Sequence, residues 1–173
     1  MVVTSKLVYD YLSAMKNVNL SKWWGHSIWS WNVPLKIKCF IWLVLHNRIL
    51  TWDNLRRRDW KGSSICSLCR TNIESIPHLF IQCSFARNIS VHICSALRIE
   101  WTWRHVTMEE CFKSWFSRNR CHRTLALFVC WGIWKCLNAR IFDNSPPNLY
   151  HLAMGILSFY KEYVIIYIFF CFR

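Results

Sequence analysis

Cys66-Ser67-Leu68-Cys69, eight residues, His78, four residues, Cys83: this stretch decides how the rest of the chain is read. Two cysteines separated by two residues can grip one metal ion from a tight turn. A histidine and a third cysteine a short loop away complete a tetrahedral Cys3His set, the donor chemistry of Zn2+. Soft thiolates with one imidazole favour zinc over magnesium or calcium. Cys66, Cys69, His78 and Cys83 fill all four positions, so the predicted site is structural, with no open position for catalysis. Ordinary buried thiols are the alternative, in a chain with ten cysteines.

The surrounding composition is that of a folded, basic protein. Hydrophobic residues make up 54% of the 173, enough for a sizeable core. Four glycines and four prolines imply few turns and long elements. Lysine and arginine number 22 against nine acidic residues, a net charge of +13. Such a chain is drawn to polyanions, either nucleic acid or an anionic membrane surface. The N-terminal residues 1–6 lack the apolar run of a secretory signal, so the reading sets the protein in the nucleus or cytoplasm, not secreted, with its thiols reduced. Cys39, Cys94, Cys111, Cys121, Cys130, Cys136 and Cys171 are then expected to act mostly as small apolar core residues. A secreted disulfide scaffold is the rival reading.

Around the cluster the pattern is mostly helical. Residues 5–16 place Leu7, Val8, Tyr11 and Leu12 on one helical face, after an extended stub at 2–4 and before a polar loop at 17–20. Trp23, Trp24, Trp29 and Trp31 follow within ten residues, able to pack on the next helix or to stack on bases. Pro34 opens an apolar helix over 35–46, expected to be central because Phe40, Trp42, Leu43, Val44 and Leu45 cover most of its circumference. Thr51 is placed to cap a second helix, with Asp53 favourable at its start, running into Arg56-Arg57-Arg58 and on to Lys61. Ser75 caps the turn that carries His78, and Ser84 the helix over 85–97 that holds His92, read as a non-ligand. Trp101 and Trp103 bracket a short strand or loop. Further helices are predicted over 109–116 and 125–141, with a stop at 143–147.

The last residues, Val164 to Phe172, are uncharged and rich in β-branched and aromatic side chains. They are about half the ~20 residues of a spanning helix, and Lys161 and Glu162 block a backward extension. Membrane insertion is therefore disfavoured, and the segment reads as a partner-covered or aggregation-prone strand.

Several ordered pieces resemble one family. Trp29-Ser30-Trp31 with Pro34-Leu35-Lys36-Ile37-Lys38-Cys39-Phe40-Ile41-Trp42 is similar to its tryptophan and Pro-x-Lys-x-Lys-x-Phe-x-Trp run. Arg48, Thr51, Leu55 and Arg58 resemble its next block, and Cys66, Cys69, Glu74, Ser75, His78, Leu79, Phe80 and Cys83 its metal block. The family is the zinc-binding domain that follows reverse transcriptase in plant LINE-type (non-LTR) retrotransposons. The resemblance covers about residues 1–93, with 131–143 similar to a linker helix. Arg70 departs from it where glycine commonly follows the second cysteine, and Ser90 where tryptophan often closes the block.

The resemblance implies a zinc-stabilised, mostly helical module that helps a polymerase hold nucleic acid. Three regions are expected: the zinc domain at 1–93, a helical extension at 94–145 and an apolar tail at 146–173. The cations bracketing the site, Arg56, Arg57, Arg58, Lys61 and Arg70, with Trp60 as a stacking surface, are the candidate contacts to RNA or DNA. Lys113, Arg118, Arg120 and Arg123 form a second basic patch. The alternative is a purely structural module that binds other parts of a parent polyprotein. No enzyme is expected. A polymerase site needs paired aspartates, and the chain has no Asp-Asp pair. Asp10, Asp53, Asp59 and Asp143 have no recognisable ribonuclease H spacing. No nucleophile–base–orienter spacing is recognisable either.

Overall fold

The computed structural model describes residues 23–100 and 103–171, with no side-chain description for Arg120 or beyond Ile165. The helix expected at 5–16, its flanking stub and loop, and Trp101 lie outside the described residues.

The chain divides into two units, residues 1–32 and 33–173. In the first, helix α1 is Trp23–Ser30, with Trp24 and Ile28 buried on one face and Trp29 exposed.

In the second unit, α2 is Leu35–Leu45, with Pro34 in the cap position just before it. A short α3, Trp52–Arg56, leads to the metal loop. One π turn, His78–Gln82, precedes α4, Ser84–Ala96. Helix α5, Met108–Arg118, and a 3-10 turn at Arg120–His122 lead to α6, Leu125–Phe142, and α7, Leu149–Cys171. The described residues contain no strand, only an isolated bridge between Ile65 and Ile73. The fold is mostly α, as the sequence implied.

The central helix is α6, not α2. On α2 only the Ile37, Phe40, Ile41 and Val44 face is buried, while Leu35 stands exposed. On α6 every residue from Leu125 to Cys130 is buried, and Gly132, Ile133 and Leu137 with them. Helices α2 and α7 pack on α6, and α7 also packs along α4. Phe40 meets the rings of Trp131 at 5.2 Å and Trp134 at 5.9 Å, and Phe128 meets Phe159, Tyr160 and Tyr163. The crossing of α6 and α7 depends on Gly132. A β-carbon there would lie 2.4 Å from both Cγ1 and Cδ1 of Ile156. By length and composition α6 could cross a membrane, but half of it is buried inside the fold.

The tail is helical, which corrects the strand expectation. Ala153, Ile156, Leu157 and Tyr160 are buried, at the spacing of one helical face. Packing of that face overrides the β-propensity of the last turns.

Three more corrections are local. Helix α3 stops at Arg56, because Asp59 takes a left-handed φ of 63° and the Trp60 N–H turns back to the Leu55 carbonyl at 3.3 Å. Thr51 occupies the cap position, but its hydroxyl donates to the Asp53 carboxylate at 2.6 Å. Cys83, not Ser84, sits in the cap position of α4. The start of α5 is capped: the Glu110 N–H donates to Thr107 Oγ1, and that hydroxyl donates to the Glu110 carboxylate.

Candidate metal centre and cationic surface

The first two donors come from a knuckle closed by the backbone. The Cys66 N–H donates to the Asn72 carbonyl at 2.8 Å, and the Arg70 N–H to the Cys66 carbonyl at 2.9 Å. The second bond turns the chain so sharply that Arg70 adopts a φ of 57°. Only glycine takes this conformation without steric cost, which accounts physically for the glycine common at this position and makes Arg70 a strained substitute. The bridge between Ile65 and Ile73 closes the base of the knuckle.

The other two donors come from the π turn. Ser75 Oγ accepts from the His78 N–H at 3.2 Å and fixes where the turn begins, as expected. The Cys83 N–H then donates to the His78 carbonyl at 2.7 Å, across five residues. The turn is held by burial of Leu79, Phe80 and Ile81.

Together these elements bring one donor atom each from Cys66, Cys69, His78 and Cys83 within 4.8 Å of one another. A tetrahedral zinc with sulfur at ~2.3 Å and nitrogen at ~2.0–2.1 Å holds its donors roughly 3.5–3.8 Å apart, so a small contraction closes the shell. Cys69 Sγ and His78 Nε2 are 3.2 Å apart. Cys66, His78 and Cys83 are buried and Cys69 partly so. Among the described residues no other set of three histidine, cysteine or acidic side chains converges in this way.

The electrostatics suit a metal. Burial lowers the pKa of His78, which keeps its imidazole neutral and able to ligate. A hydrogen bond from the Cys66 thiol, with help from the Ala86 N–H at the start of α4, holds the Cys83 thiol below its ordinary value. That same bond, with burial, pushes the Cys66 thiol up. The Cys66 and Cys83 thiols are thus pushed in opposite directions in a closed space, an arrangement that a divalent cation relieves.

Glu74 went unnoticed in the sequence except as part of the family's metal block. It is buried, and its carboxylate accepts from the Trp52 N–H at 3.2 Å and from the Ser67 backbone. Its own N–H donates to the Ser64 carbonyl, and its carbonyl accepts from Asp53. Glu74 therefore ties the knuckle to the start of α3. Burial raises its pKa. Asn54, also buried, donates to the carbonyls of Ile49 and Asn47 and holds the chain leading into α3. A buried polar side chain carries no mark in sequence that separates it from an exposed one.

The candidate nucleic-acid contacts surround this frame. Arg56, Arg57, Arg58, Lys61 and Arg70 are all exposed. Arg57 donates to Asn54 Oδ1 at 3.2 Å. Among the described residues the one ion pair joins Arg104 to Glu100, so none joins this group to a described carboxylate. Trp60 is 64% exposed. In the second patch, Lys113, Arg118 and Arg123 are exposed. His92 is exposed, faces the Tyr150 ring and stands apart from the metal donors. Of the remaining cysteines, Cys94, Cys111 and Cys130 are buried as expected, the first two pushed up to about 12 and about 11 by burial. Cys39 and Cys121 are exposed, which corrects their placement in the core.

A cleft of about 400 Å³ opens beside α3, lined by Val44, Asp53, Arg57, Ile76, Pro77 and Glu109 among others. No histidine or cysteine lines it.

A buried Cys3His set on a knuckle and a helical turn defines a structural zinc-binding domain. Residues 4–89 match the family described as zinc-binding in reverse transcriptase. The cofactor of that family is zinc, which the donor set here fits, and Cys66, Cys69, His78 and Cys83 are the residues that would hold it. The chain is also similar to an Arabidopsis thaliana protein named for ribonuclease H, 26% identical over 142 residues. That alignment takes in 80% of this chain and 22% of the relative, so the chain spans about a fifth of the relative's length. No solved structure matches.

Proposed function

We propose that this chain is a non-catalytic, zinc-stabilised module of retrotransposon descent that binds nucleic acid through the cations around its metal knuckle. The observation that carries this reading is the uncompensated charge of Arg56, Arg57, Arg58, Lys61 and Arg70, all exposed around a frame that the zinc would rigidify. Zinc fixes the loop, Glu74 passes that order to α3, and the arginines meet phosphate. Neutralising about five phosphates of a single strand would give a slope of log affinity against log salt of about −3.5, at ~0.7 per contact. Phosphate contacts alone confer no sequence specificity. The module would work in the nucleus or cytoplasm, where its thiols stay reduced.

The name of the Arabidopsis relative suggests hydrolytic chemistry in its full length. In this chain no such role is assigned: the cluster that converges is one of thiols and an imidazole, not of carboxylates.

A protein-interaction role is the second reading. It is favoured by exposed Phe142, Tyr150, Met154 and Ile165 on and beside α7, an orphaned apolar surface in a chain that matches a fifth of a longer relative. Fluorescence anisotropy of labelled RNA with the zinc-loaded and zinc-stripped chain separates the two. Zinc-dependent, salt-sensitive binding, lost on changing Arg56, Arg57 and Arg58 to Gln, supports the first. No binding by a folded, zinc-loaded chain overturns it.

A further inference from the structure

Resting on the nucleic-acid reading, we propose that the metal knuckle selects single strands, with Trp60 as the platform on which an unpaired base stacks. The inference starts from how Trp60 is held. It follows Asp59, whose left-handed backbone ends the arginine turn, and its own N–H is bonded back to the Leu55 carbonyl at 3.3 Å. In such helix ends the residue at this position usually tucks against the last helical turn. Here it does not: the ring is 64% exposed.

The segment that follows Trp60 is packed against the helix before it. Gly62 lies against the Trp52 ring, so closely that a β-carbon there would sit 2.6 Å from Cη2. Trp52 thus packs against the segment just after Trp60, whose backbone is fixed while most of its side chain meets solvent. Ile65 and Ile73, the bridged pair at the base of the knuckle, are also exposed, at 51% and 59%. Arg56, Arg57, Arg58, Lys61 and Arg70 stand around it.

A duplex satisfies the cations but not the ring, because its bases are stacked on each other and present only their edges in the grooves. An unpaired strand satisfies both, offering phosphates to the arginines and an open base face to the indole. Stacking of this kind tolerates any base, because every base has an aromatic face. RNA and DNA share the chemistry.

The test uses the full zinc-loaded chain and four probes of one sequence of about 20 nucleotides: single-stranded RNA, single-stranded DNA and the two duplexes. Single strands are expected to bind roughly ten-fold tighter than duplexes at equal salt. Trp60→Ala is expected to lose roughly ten-fold on single strands and nothing on duplexes, while Trp60→Phe retains most of the preference. Zinc content and far-ultraviolet circular dichroism confirm that both variants are folded. Equal affinity for both forms, or a Trp60→Ala loss that is absent or the same on both, overturns the proposal and leaves the nucleic-acid reading standing. Binding to none of the four probes overturns both.

Discussion

Replacing Arg70 with glycine should strengthen the fold and weaken nucleic-acid binding at once. The Arg70 N–H closes the metal knuckle on the Cys66 carbonyl at 2.9 Å, and the residue reaches that position only at a φ of 57°. A side chain in this region costs about 1–2 kcal/mol through the clash of Cβ with its own carbonyl. Glycine removes the clash but loses about 0.5–1 kcal/mol of extra freedom on folding. The net gain is about 0.5–1 kcal/mol. For a chain of this size that raises the midpoint of thermal unfolding by about 1–4 °C in the zinc-loaded state. Zinc binding and closure of the knuckle are one process, so zinc affinity should rise by a factor of roughly two to five. Arg70 is exposed and pairs with no carboxylate among the described residues, so nothing else in the fold is lost. The same change deletes one cation, and the salt slope on single strands should shrink by about 0.7. Arg70→Ala is the control: it loses the same slope but keeps the strained backbone and gains no stability. Calorimetric melts and competition with a zinc indicator measure the first effect, anisotropy across a salt series the second. If Arg70→Gly is no more stable than Arg70→Ala, the left-handed turn carries no strain and the reasoning fails.

Other expectations test the frame. Gly132→Ala should destabilise by about 1–3 kcal/mol through overpacking against Ile156, and adding Ile156→Ala should recover part of the loss in thermal melts. Removing zinc with a chelator should lower the unfolding midpoint sharply yet leave most of the helical circular dichroism. The Leu125–Leu137 core of α6 contains none of the four metal donors, so it has no need of the metal. Glu74→Ala should orphan the Trp52 and Ser67 N–H groups, at about 1–3 kcal/mol each. The pH dependence of this loss has a fixed sign. Burial raises the Glu74 carboxyl above its ordinary 4.5, so the native state holds that proton more tightly than the unfolded state. The contribution is full below the ordinary carboxylate pKa and declines as pH rises through the raised value. The stability difference between wild type and Glu74→Ala should therefore shrink as pH rises above the ordinary carboxylate range in urea titrations.

The metal loop was legible in the sequence because its information is local. Spacing alone places Cys66, Cys69, His78 and Cys83, and Ser75 marks the start of the turn that carries the histidine. The helices were legible for the same reason, from caps and periodicity. What hydropathy could not convey was partnership. Helix α2 is apolar nearly all round, yet only its Ile37–Phe40–Ile41–Val44 face is covered, because α6 takes the centre. The C-terminal run was misjudged by looking at its β-branched end. Ala153, Ile156, Leu157 and Tyr160, just before it, repeat at helical spacing, and their packing sets the conformation. Cys39 and Cys121 show the same limit: a thiol is equally at home on either side of a surface, and no neighbour in sequence says which. Ser90, in place of a family tryptophan, is buried on α4 with its hydroxyl on the Ala86 carbonyl. A small side chain there suits a helix that must lie along α7.

The π turn between His78 and Cys83 makes length itself a constraint within this loop. Its ring closes over five residues rather than four, so the chain holds one residue more than an α turn would between the two donors. Each residue of a helix advances the side-chain direction by about 100°. Deleting a single position, even the exposed Gln82, would swing Cys83 about a quarter-turn out of the metal shell and shift the register of α4 behind it. The letters between the histidine and the cysteine are open to substitution wherever burial permits. Their number is not, and a one-codon deletion here should be more damaging than most replacements of the side chains themselves.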